Sequence, residues 1–271
     1  MNRFSAERWE AARRRVVDHA FQRVPYYREQ WAVAGRVLEE PVPVASGDLT
    51  AHLFRLFPLG RPWLPDRAPS PWLGGPATLA SALREAGVLS RVLPVLEVRR
   101  EMVDWRALGR LGPRYAALLP SRADVVDEER RRLLNLPAVD LATRANRVVV
   151  VGTSEDLAEV VPALPKTADV LPVVRGTAAQ IVRGDAVEIA GRRPAVRLAH
   201  DPRLGDFAAT APSCGRPHLL WRRYHAGSRD GALLITALRR RPVLCSVVPE
   251  DSAGVTVGRC PEHGTAILTG P

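Results

Sequence analysis

Lysine is almost absent from this sequence, because Lys166 is the only one among 39 basic residues. The excess of basic over acidic residues, 39 against 29, gives a net charge of +10 that arginine carries almost entirely. A strongly basic chain can indicate nucleic-acid binding. Here the arginines are spread along the chain and no nucleic-acid-binding motif accompanies them. We therefore interpret them as solvated surface charge and do not expect a nucleic-acid partner.

Cysteine and long hydrophobic runs are also scarce. The three cysteines are an odd number and no secretory signal peptide precedes them, which argues against an exported scaffold held by disulfides. No apolar run approaches the roughly 20 residues that a membrane-spanning helix requires. With 46% apolar and 25% charged residues, the composition is typical of a globular protein. We expect this protein to be cytoplasmic, without a membrane partner.

Several motifs of nucleotide and acyl-transfer chemistry are missing. The sequence contains neither the G-x-G-x-x-G fingerprint nor the G-x-x-x-x-G-K-[ST] loop, and it has no G-x-S-x-G nucleophile elbow. The segment VVVVGTSED, residues 148–156, places a helix start after a strand and can be a phosphate-binding turn. An ordinary strand-to-helix turn, with Thr153 or Ser154 as the N-cap, is the favoured interpretation.

The elements that the pattern does predict alternate between helices and strands. Helices are expected at residues 5–34 with an interruption at Pro25, and at 48–57, 78–87, 104–112, 122–135 and after 152. Strands are expected at 92–98, 115–120, 147–152, 170–174, 186–191, 232–238 and 253–258. This order predicts a layered α/β fold with a partly parallel sheet and a small β-rich C-terminal part. We divide the chain into a helical segment at 1–60, an α/β core at 61–200 and a β-rich subdomain at 201–271, within one compact unit.

Two short-spaced pairs of cysteine and histidine lie near the end of the sequence. They are Cys214 with His218, and Cys260 with His263. Structural zinc sites take four such ligands, usually presented as two close pairs. Neighbouring glycines and prolines place both pairs in turns, and the 41 residues between them, 219–259, must bring them together. The spacing leaves two interpretations open, a zinc site or two unrelated loops with surface histidines.

Other side chains have the chemistry of acids, bases or nucleophiles. They are His200, Asp201, His225, Cys245, Glu250 and Asp251. A structural role is the alternative for each, since Cys245 lies in an apolar stretch that is typical of a buried thiol. Glu250 and Asp251 are equally consistent with a solvated turn. We keep all six as catalytic candidates.

Several segments resemble one family over most of the chain. AFQRVPYYREQWAVAG, residues 20–35, matches the pattern A-x-x-x-V-P-[FY]-Y-R followed by AG. GALLITALRRRP, residues 231–242, resembles a G-E-L-V-L-T block followed by proline, and Cys260 follows it. These segments, with the pair Pro120 and Ser121, resemble phenylacetate–CoA ligase-like enzymes of the adenylate-forming superfamily. The resemblance implies the large N-terminal domain of those enzymes.

The resemblance also implies site residues. The segments that line the acid pocket in that family correspond here to Trp72, Gly74, Gly75, Tyr115, Ser121 and Thr153. Some members bind a structural zinc ion through a cysteine-rich turn and an upstream cysteine and histidine. Cys214, His218 and Cys260 fall at those positions, and His263 replaces a family cysteine. The resemblance therefore favours zinc as a cofactor.

The sequence departs from the family in the parts that perform adenylation. Residues 60–78 lack the Ser-Gly-Thr-Thr core and the lysine of the nucleotide loop, and residues 200–205 lack the Tyr-Gly and the magnesium-binding glutamate. Cys245 and Ser246 replace an Arg-Tyr pair, and we find no counterpart of the smaller C-terminal domain with its adenylation lysine. Adenylation requires neutralisation of phosphate charge. We therefore do not expect ATP or Mg²⁺ as cofactors.

Three functions are consistent with these patterns. The first is a shortened, degenerate family member in a biosynthetic pathway, of a specialised metabolite such as an antibiotic. It would bind an acyl or aromatic acid, an acyl carrier protein or a partner ligase without adenylating it. The second is a divergent enzyme that activates or transfers an acyl group. The third is a zinc-stabilised, arginine-rich interaction module, and a homo- or hetero-oligomer is compatible with all three.

Overall fold

The protein has a mixed α/β fold in the part of the chain that the computed structural model describes. That part comprises residues 4–60, 75–90, 92–100, 114–125, 127–184, 188–192, 194, 196–239 and 242–270. Its α-helices are α1 (Ala6–Arg23), α2 (Pro25–Val33), α3 (Gly75–Glu85), α4 (Glu128–Arg144), α5 (Ser154–Val160) and α6 (Ala178–Arg183). Two 3-10 helices cover Ser46–Leu56 and Val161–Ala163. None of the helices in the described residues has the length and apolar character needed to span a membrane.

Thirteen strands form two mixed sheets in the described residues. They are β1 (Val44–Ala45), β2 (Val95–Val98), β3 (Tyr115–Leu118), β4 (Arg147–Thr153), β5 (Asp169–Gly176), β6 (Val196–Asp201), β7 (Gly205–Thr210), β8 (Pro217–Leu219), β9 (Tyr224–Arg229), β10 (Ala232–Ala237), β11 (Val247–Val248), β12 (Thr256–Arg259) and β13 (Ala266–Thr269). The larger sheet has the order β12-β13-β8-β7-β6-β5-β4-β2-β3, and the smaller has the order β1-β11-β10-β9.

The predicted parallel part of the sheet is confirmed. Strands β3, β2, β4, β5 and β6 pair in parallel, and β7 continues the sheet antiparallel to β6. Residues Val148–Val151 are fully buried, as expected of a strand covered on both faces. Val149 and Val151 contribute to a core with helices α1, α2 and α3, whereas Val148 and Val150 pack in a second core with α4 and α5.

The N-terminal helices begin and end where the sequence predicts. Ser5 caps α1 by accepting a hydrogen bond from the amide of Arg8, at 3.4 Å. Pro25 occupies the first position of α2, where a missing N–H costs nothing because that amide would have no partner inside the helix. Tyr27 on α2 is completely buried, and its side chain reaches the 243–245 segment.

Both sheets join distant parts of the sequence. In the smaller sheet, β1 from the N-terminal segment pairs in parallel with β11. In the larger sheet, β6 and β7 pair across the predicted boundary at residue 200. The predicted β-rich C-terminal part therefore shares the large sheet with the α/β core.

Two predicted elements differ from the structure. The prediction of a strand at 186–191 is wrong for the residues described there. Ala190 and Gly191 have positive φ angles of 48° and 73°, so the chain forms a turn with one isolated bridge. The helix expected at 122–135 runs from Glu128 to Arg144, since the Asp127 side chain caps it by accepting from the amide of Arg130 at 2.7 Å. The helix expected at 104–112 lies outside the described residues.

Candidate functional site

The predicted metal-binding pairs lie at two tight turns of the larger sheet, with His218 on the strand β8 that follows the first turn. The first turn joins β7 to β8, and the amide of Gly215 donates to the carbonyl of Ala211 at 2.8 Å. The second joins β12 to β13, and the amide of Gly264 donates to the carbonyl of Cys260 at 2.8 Å. Both glycines have positive φ, 66° and 67°, which side chains disfavour. The glycines thus allow each turn to fold a cysteine and a histidine together.

The four side chains meet at one point. Their candidate ligand atoms all lie within 4.8 Å of one another. Cys214 Sγ is 3.1 Å from His218 Nε2, and Cys260 Sγ is 3.4 Å from His263 Nδ1. Strand pairing brings the two turns together, because Ile267 of β13 lies opposite His218 of β8. Two thiols and two imidazoles at this separation can hold a metal ion. We call Cys214, His218, Cys260 and His263 the Cys/His cluster.

Hydroxyl groups hold the outer nitrogens of both histidines. Thr265 Oγ1 is 2.9 Å from His218 Nδ1, and Ser213 Oγ is 3.1 Å from His263 Nε2. Such contacts fix the tautomer and ring orientation of metal-binding histidines. They leave Nε2 of His218 and Nδ1 of His263 directed at the centre of the cluster.

The protonation of His218 and Cys260 suits metal binding, whereas burial raises the pKa of the Cys214 thiol. Burial lowers the pKa of His218, so the neutral imidazole that binds metals is favoured. Burial opposes ionisation of Cys260, but hydrogen bonds from His263, the backbone and Cys214 together outweigh it and lower the pKa of this thiol. A thiolate is the form of cysteine that ligates metals.

A second group of polar side chains lies at the carboxyl ends of the parallel strands. Glu97 is on β2 and Arg175 on β5, while Asp206 is the second residue of the antiparallel strand β7 at the same edge. The relative exposure of these side chains is 1%, 9% and 1%. Ligands of open α/β sheets commonly bind at this edge.

Arg175 is the centre of this group. Its Nε and Nη2 atoms donate to the two carboxylate oxygens of Asp206 at 2.7 and 2.8 Å. Its Nη1 atom forms an ion pair with Glu97 at 2.6 Å. Glu97 is also 3.0 Å from Nε of Arg99 and accepts a hydrogen bond from the hydroxyl of Tyr115. We call Glu97, Arg99, Arg175 and Asp206 the buried charge network.

The charges in the network stabilise one another. Burial opposes ionisation of both carboxyl groups. Arg175 acts with Arg99 and Tyr115 on Glu97, and with His200 on Asp206, and together these partners hold both pKa values below their usual range. For the Tyr115 hydroxyl, burial and the Glu97 charge raise the pKa, so it remains a donor. The network is therefore ionised at neutral pH, with Tyr115 protonated beside it.

His200 connects the network to the surface. Its Nδ1 atom is 3.0 Å from Oδ1 of Asp206, and its side chain is 29% exposed. An ionised carboxylate only accepts hydrogen bonds, so Nδ1 carries the proton in this pair. The Nε2 atom of His200 forms no hydrogen bond with the residues that the structure describes.

The predicted pocket residues fall into three groups. Trp72 and Gly74 lie outside the described residues, and Gly75 begins α3. Tyr115 contacts Glu97, so the buried charge network links it to His200. Ser121 and Thr153 lie at the same sheet edge, and Thr153 is paired with Arg175 in the register of β4 and β5.

The hydroxyls of these last two residues have local partners on helix α5. Ser121 donates from Oγ to Glu159 at 2.9 Å, and Thr153 caps the helix, its Oγ1 accepting from the amide of Asp156 at 3.2 Å. The expectation of a cap at Thr153 or Ser154 is confirmed for Thr153.

The carboxylates among the catalytic candidates hold a loop in place. Asp201 is fully buried and accepts from the amides of Arg203, Leu204 and Glu250 at 2.8, 3.0 and 3.1 Å. Asp251 accepts from the hydroxyl of Thr177 at 2.7 Å. These bonds attach the 249–251 loop to β6 and α6. The side chain of Glu250 is exposed.

The other two candidates, His225 and Cys245, pack near the N-terminal helices α1 and α2. His225 packs on Trp9 with ring centroids 4.2 Å apart, and its Nε2 is 3.0 Å from Glu10. Burial lowers the pKa of His225 to about 4, so it is neutral at pH 7. Cys245 is completely buried, as the apolar stretch predicted, and burial raises the pKa of its thiol to about 12.

Sequence reasoning missed all four members of the buried charge network, Arg99 included. Glu97, Arg175 and Asp206 have no recognisable motif around them. The available signal was a charge at the end of an apolar strand, as in VLPVLEV and VLPVVR. A charge there must find a partner when the strand is buried.

Comparison with known proteins adds no family assignment. Neither a scan against protein-family models nor a search of curated proteins found a match to this chain.

Proposed function

We propose that this protein is a non-adenylating relative of phenylacetate–CoA ligase-like enzymes that binds an acyl or aromatic acid at the carboxyl edge of its parallel strands. The acid is either free or presented by a carrier protein or partner ligase. The segment matches at residues 20–35 and 231–242 support the kinship. A parallel sheet with a polar edge is consistent with it.

The buried charge network carries this proposal. Both of its carboxylates are paired with guanidinium groups, so neither is left to coordinate a magnesium ion. The sequence has no second lysine, and Lys166 precedes β5 at the amino end of that strand, on the edge opposite Arg175. Phosphoryl chemistry needs metal and lysine charges at the reacting phosphates. An acid can bind at this edge. In the residues that the structure describes, however, the network leaves no carboxylate for magnesium and the lysine lies at the opposite edge.

Calorimetric titration of the purified protein tests this function. We expect at least one member of a panel of aromatic and aliphatic acids, including phenylacetate, to bind, and ATP with Mg²⁺ not to bind. Micromolar binding of ATP with Mg²⁺ would contradict the proposal. Failure of every acid and of an acidic carrier protein would also reject it.

We propose further that the Cys/His cluster binds zinc. Two sulfur and two nitrogen ligands in a closed set suit tetrahedral Zn²⁺ in a structural role. Metal analysis of the purified protein should give one zinc per chain. Cys260→Ser should lose the metal and lower the melting temperature, while Cys245→Ala should retain the metal because that thiol lies outside the cluster. Equal metal content in both variants would contradict zinc binding at the cluster.

A divergent enzyme that transfers an acyl group is the second candidate, and the contact of Asp206 with His200 favours it. An imidazole oriented by a buried carboxylate is an arrangement that general bases use. Turnover of phenylacetyl-CoA that is lost in His200→Gln would support this candidate. Absence of any turnover would reject it.

A further inference from the structure

We infer that His200 is the group that binds the carboxylate of the acid ligand, through its Nε2 atom. This inference rests on the proposed function and identifies the chemistry that recognises the ligand. Nδ1 of His200 donates to Asp206, and Nε2–H of the imidazolium donates to the ligand carboxylate.

Buried residues of the network hold the side chain of His200 in position. Its partner Asp206 is held by two hydrogen bonds from Arg175, and Arg175 is held in turn by Glu97. These residues belong to strands β2, β5, β6 and β7, so the whole sheet edge orients the imidazole. A side chain fixed in this way loses little conformational entropy when it binds a ligand.

An anion completes the charge balance of the site when His200 is protonated. Two carboxylates, Glu97 and Asp206, balance the two guanidinium groups of Arg99 and Arg175. Protonated His200 therefore adds one positive charge that the network does not compensate. The next residue, Asp201, has its carboxylate bonded to three backbone amides and is turned to the 250 loop. A ligand carboxylate on Nε2 restores neutrality.

The exposure of His200 is consistent with this role. The network itself is largely inaccessible to a ligand, since Glu97, Arg175 and Asp206 are buried and the side chain of Arg99 is 13% exposed. His200 contacts the network and is more exposed than any of its members, at 29%. A ligand that approaches this edge therefore meets the imidazole before any other charge of the network.

The test compares a charged and a neutral probe on matched variants. Phenylacetate and phenylacetamide, which lacks the negative charge, are titrated into wild type, His200→Gln, His200→Arg and His19→Gln. A charge-assisted hydrogen bond is worth enough to predict a loss of about tenfold or more in phenylacetate affinity for His200→Gln. His200→Arg keeps a positive charge and should largely restore binding. His19→Gln, an exposed histidine on α1, should bind like wild type.

Different results reject different claims. If wild type binds phenylacetate and His200→Gln binds it equally well, His200 does not bind the carboxylate of the acid, although the proposed function stands. Equal losses of affinity for phenylacetate and phenylacetamide in His200→Gln would likewise overturn the inference, because His200 would then not distinguish the charged ligand from the neutral one. If wild type binds no acid of the panel, this inference fails, and the proposed function fails with it when the acidic carrier protein does not bind either. Circular dichroism of each variant confirms folding, and His200→Arg decides the matter if His200→Gln does not fold.

Discussion

Arg175 compensates two buried carboxylates at once, and this makes the residues around it dependent on one another. A buried ion pair contributes little net stability, but loss of one partner leaves an uncompensated charge. The side chain of Arg175 bonds Asp206 through two nitrogens and Glu97 through the third. The effect of a substitution here is therefore much larger than at a surface ion pair.

Asp206→Asn should reduce the free energy of unfolding by about 3–5 kcal/mol, because it removes one of the two carboxylate charges that pair with the buried guanidinium of Arg175. The matched control is Asp140→Asn in the exposed pair with Arg144 on α4, for which we expect a change within about 0.5 kcal/mol. Urea denaturation at pH 7 measures both. Similar values for the two variants would show that the network is not a coupled set of charges.

His225 should make stability depend on pH. Its pKa is about 4 in the folded protein because burial disfavours the charged ring, whereas an unfolded histidine titrates near 6.5. The unfolded state then binds more protons between these values, so stability falls as the pH is lowered through this range. From pH 7 to pH 5 we expect a loss of about 1–2 kcal/mol from this residue. His225→Gln should lose correspondingly less than wild type in denaturation at the two pH values, under identical metal conditions. Parallel losses in the two proteins would contradict this assignment.

The residues of a site could be predicted from the sequence where they lie close together along the chain. Two close Cys/His pairs beside glycines define their own turns, so the cluster was recognisable. The buried charge network was not recognisable, because Glu97 and Arg175 meet only through strand pairing over a long sequence separation. Tyr115 and His200 were chosen as separate candidates, and only the fold reveals what connects them.

The turn from β4 into α5 shows how one element is specified. Gly152 has no φ angle that only glycine adopts, yet a Cβ atom there would lie 2.9 Å from Cβ of Val98 on the neighbouring strand. It would also lie 3.4 Å from the side chain of Leu157 on α5. Close packing of helix, strand and turn therefore explains this glycine without a phosphate ligand.

Gly152→Ala should destabilise the protein by about 1–3 kcal/mol, because the added methyl group must displace β2 or α5. Gly47→Ala is the matched control, since a Cβ atom there meets nothing within 4 Å and the residue has no positive φ. Thermal denaturation of both variants measures the difference. Equal melting temperatures would contradict the packing argument.

Elements with strong periodicity were predictable, and elements set by tertiary context were not. The run of valines in β4 identified a strand buried on both faces. The segment at 188–191 has strand-like composition, but its left-handed residues turn the chain. The boundaries of α4 depend on a side-chain cap at Asp127, which shifts the start from the expected position.

At the scale of the whole molecule, the large sheet separates two kinds of site. The Cys/His cluster lies at the turns beside β8, β12 and β13, near one end of the strand order. The buried charge network lies on β2, β5 and β7 at the carboxyl edge of the parallel strands. A metal ion in the first site would tie two hairpins together without contacting a ligand at the second. The layered α/β fold was predictable from the order of elements, whereas the sharing of one sheet by its two predicted halves required the pairing of β6 with β7.

The most direct test of the central claim is the exchange of labelled pyrophosphate into ATP, measured with the zinc-loaded protein and the acid that binds most tightly in calorimetry. Binding without adenylation predicts that exchange stays at the background seen without protein, since both carboxylates of the buried charge network are paired with arginines and Lys166 lies at the opposite edge of the sheet. Exchange that depends on the acid and on Mg²⁺ would contradict the account and identify the protein as an active ligase.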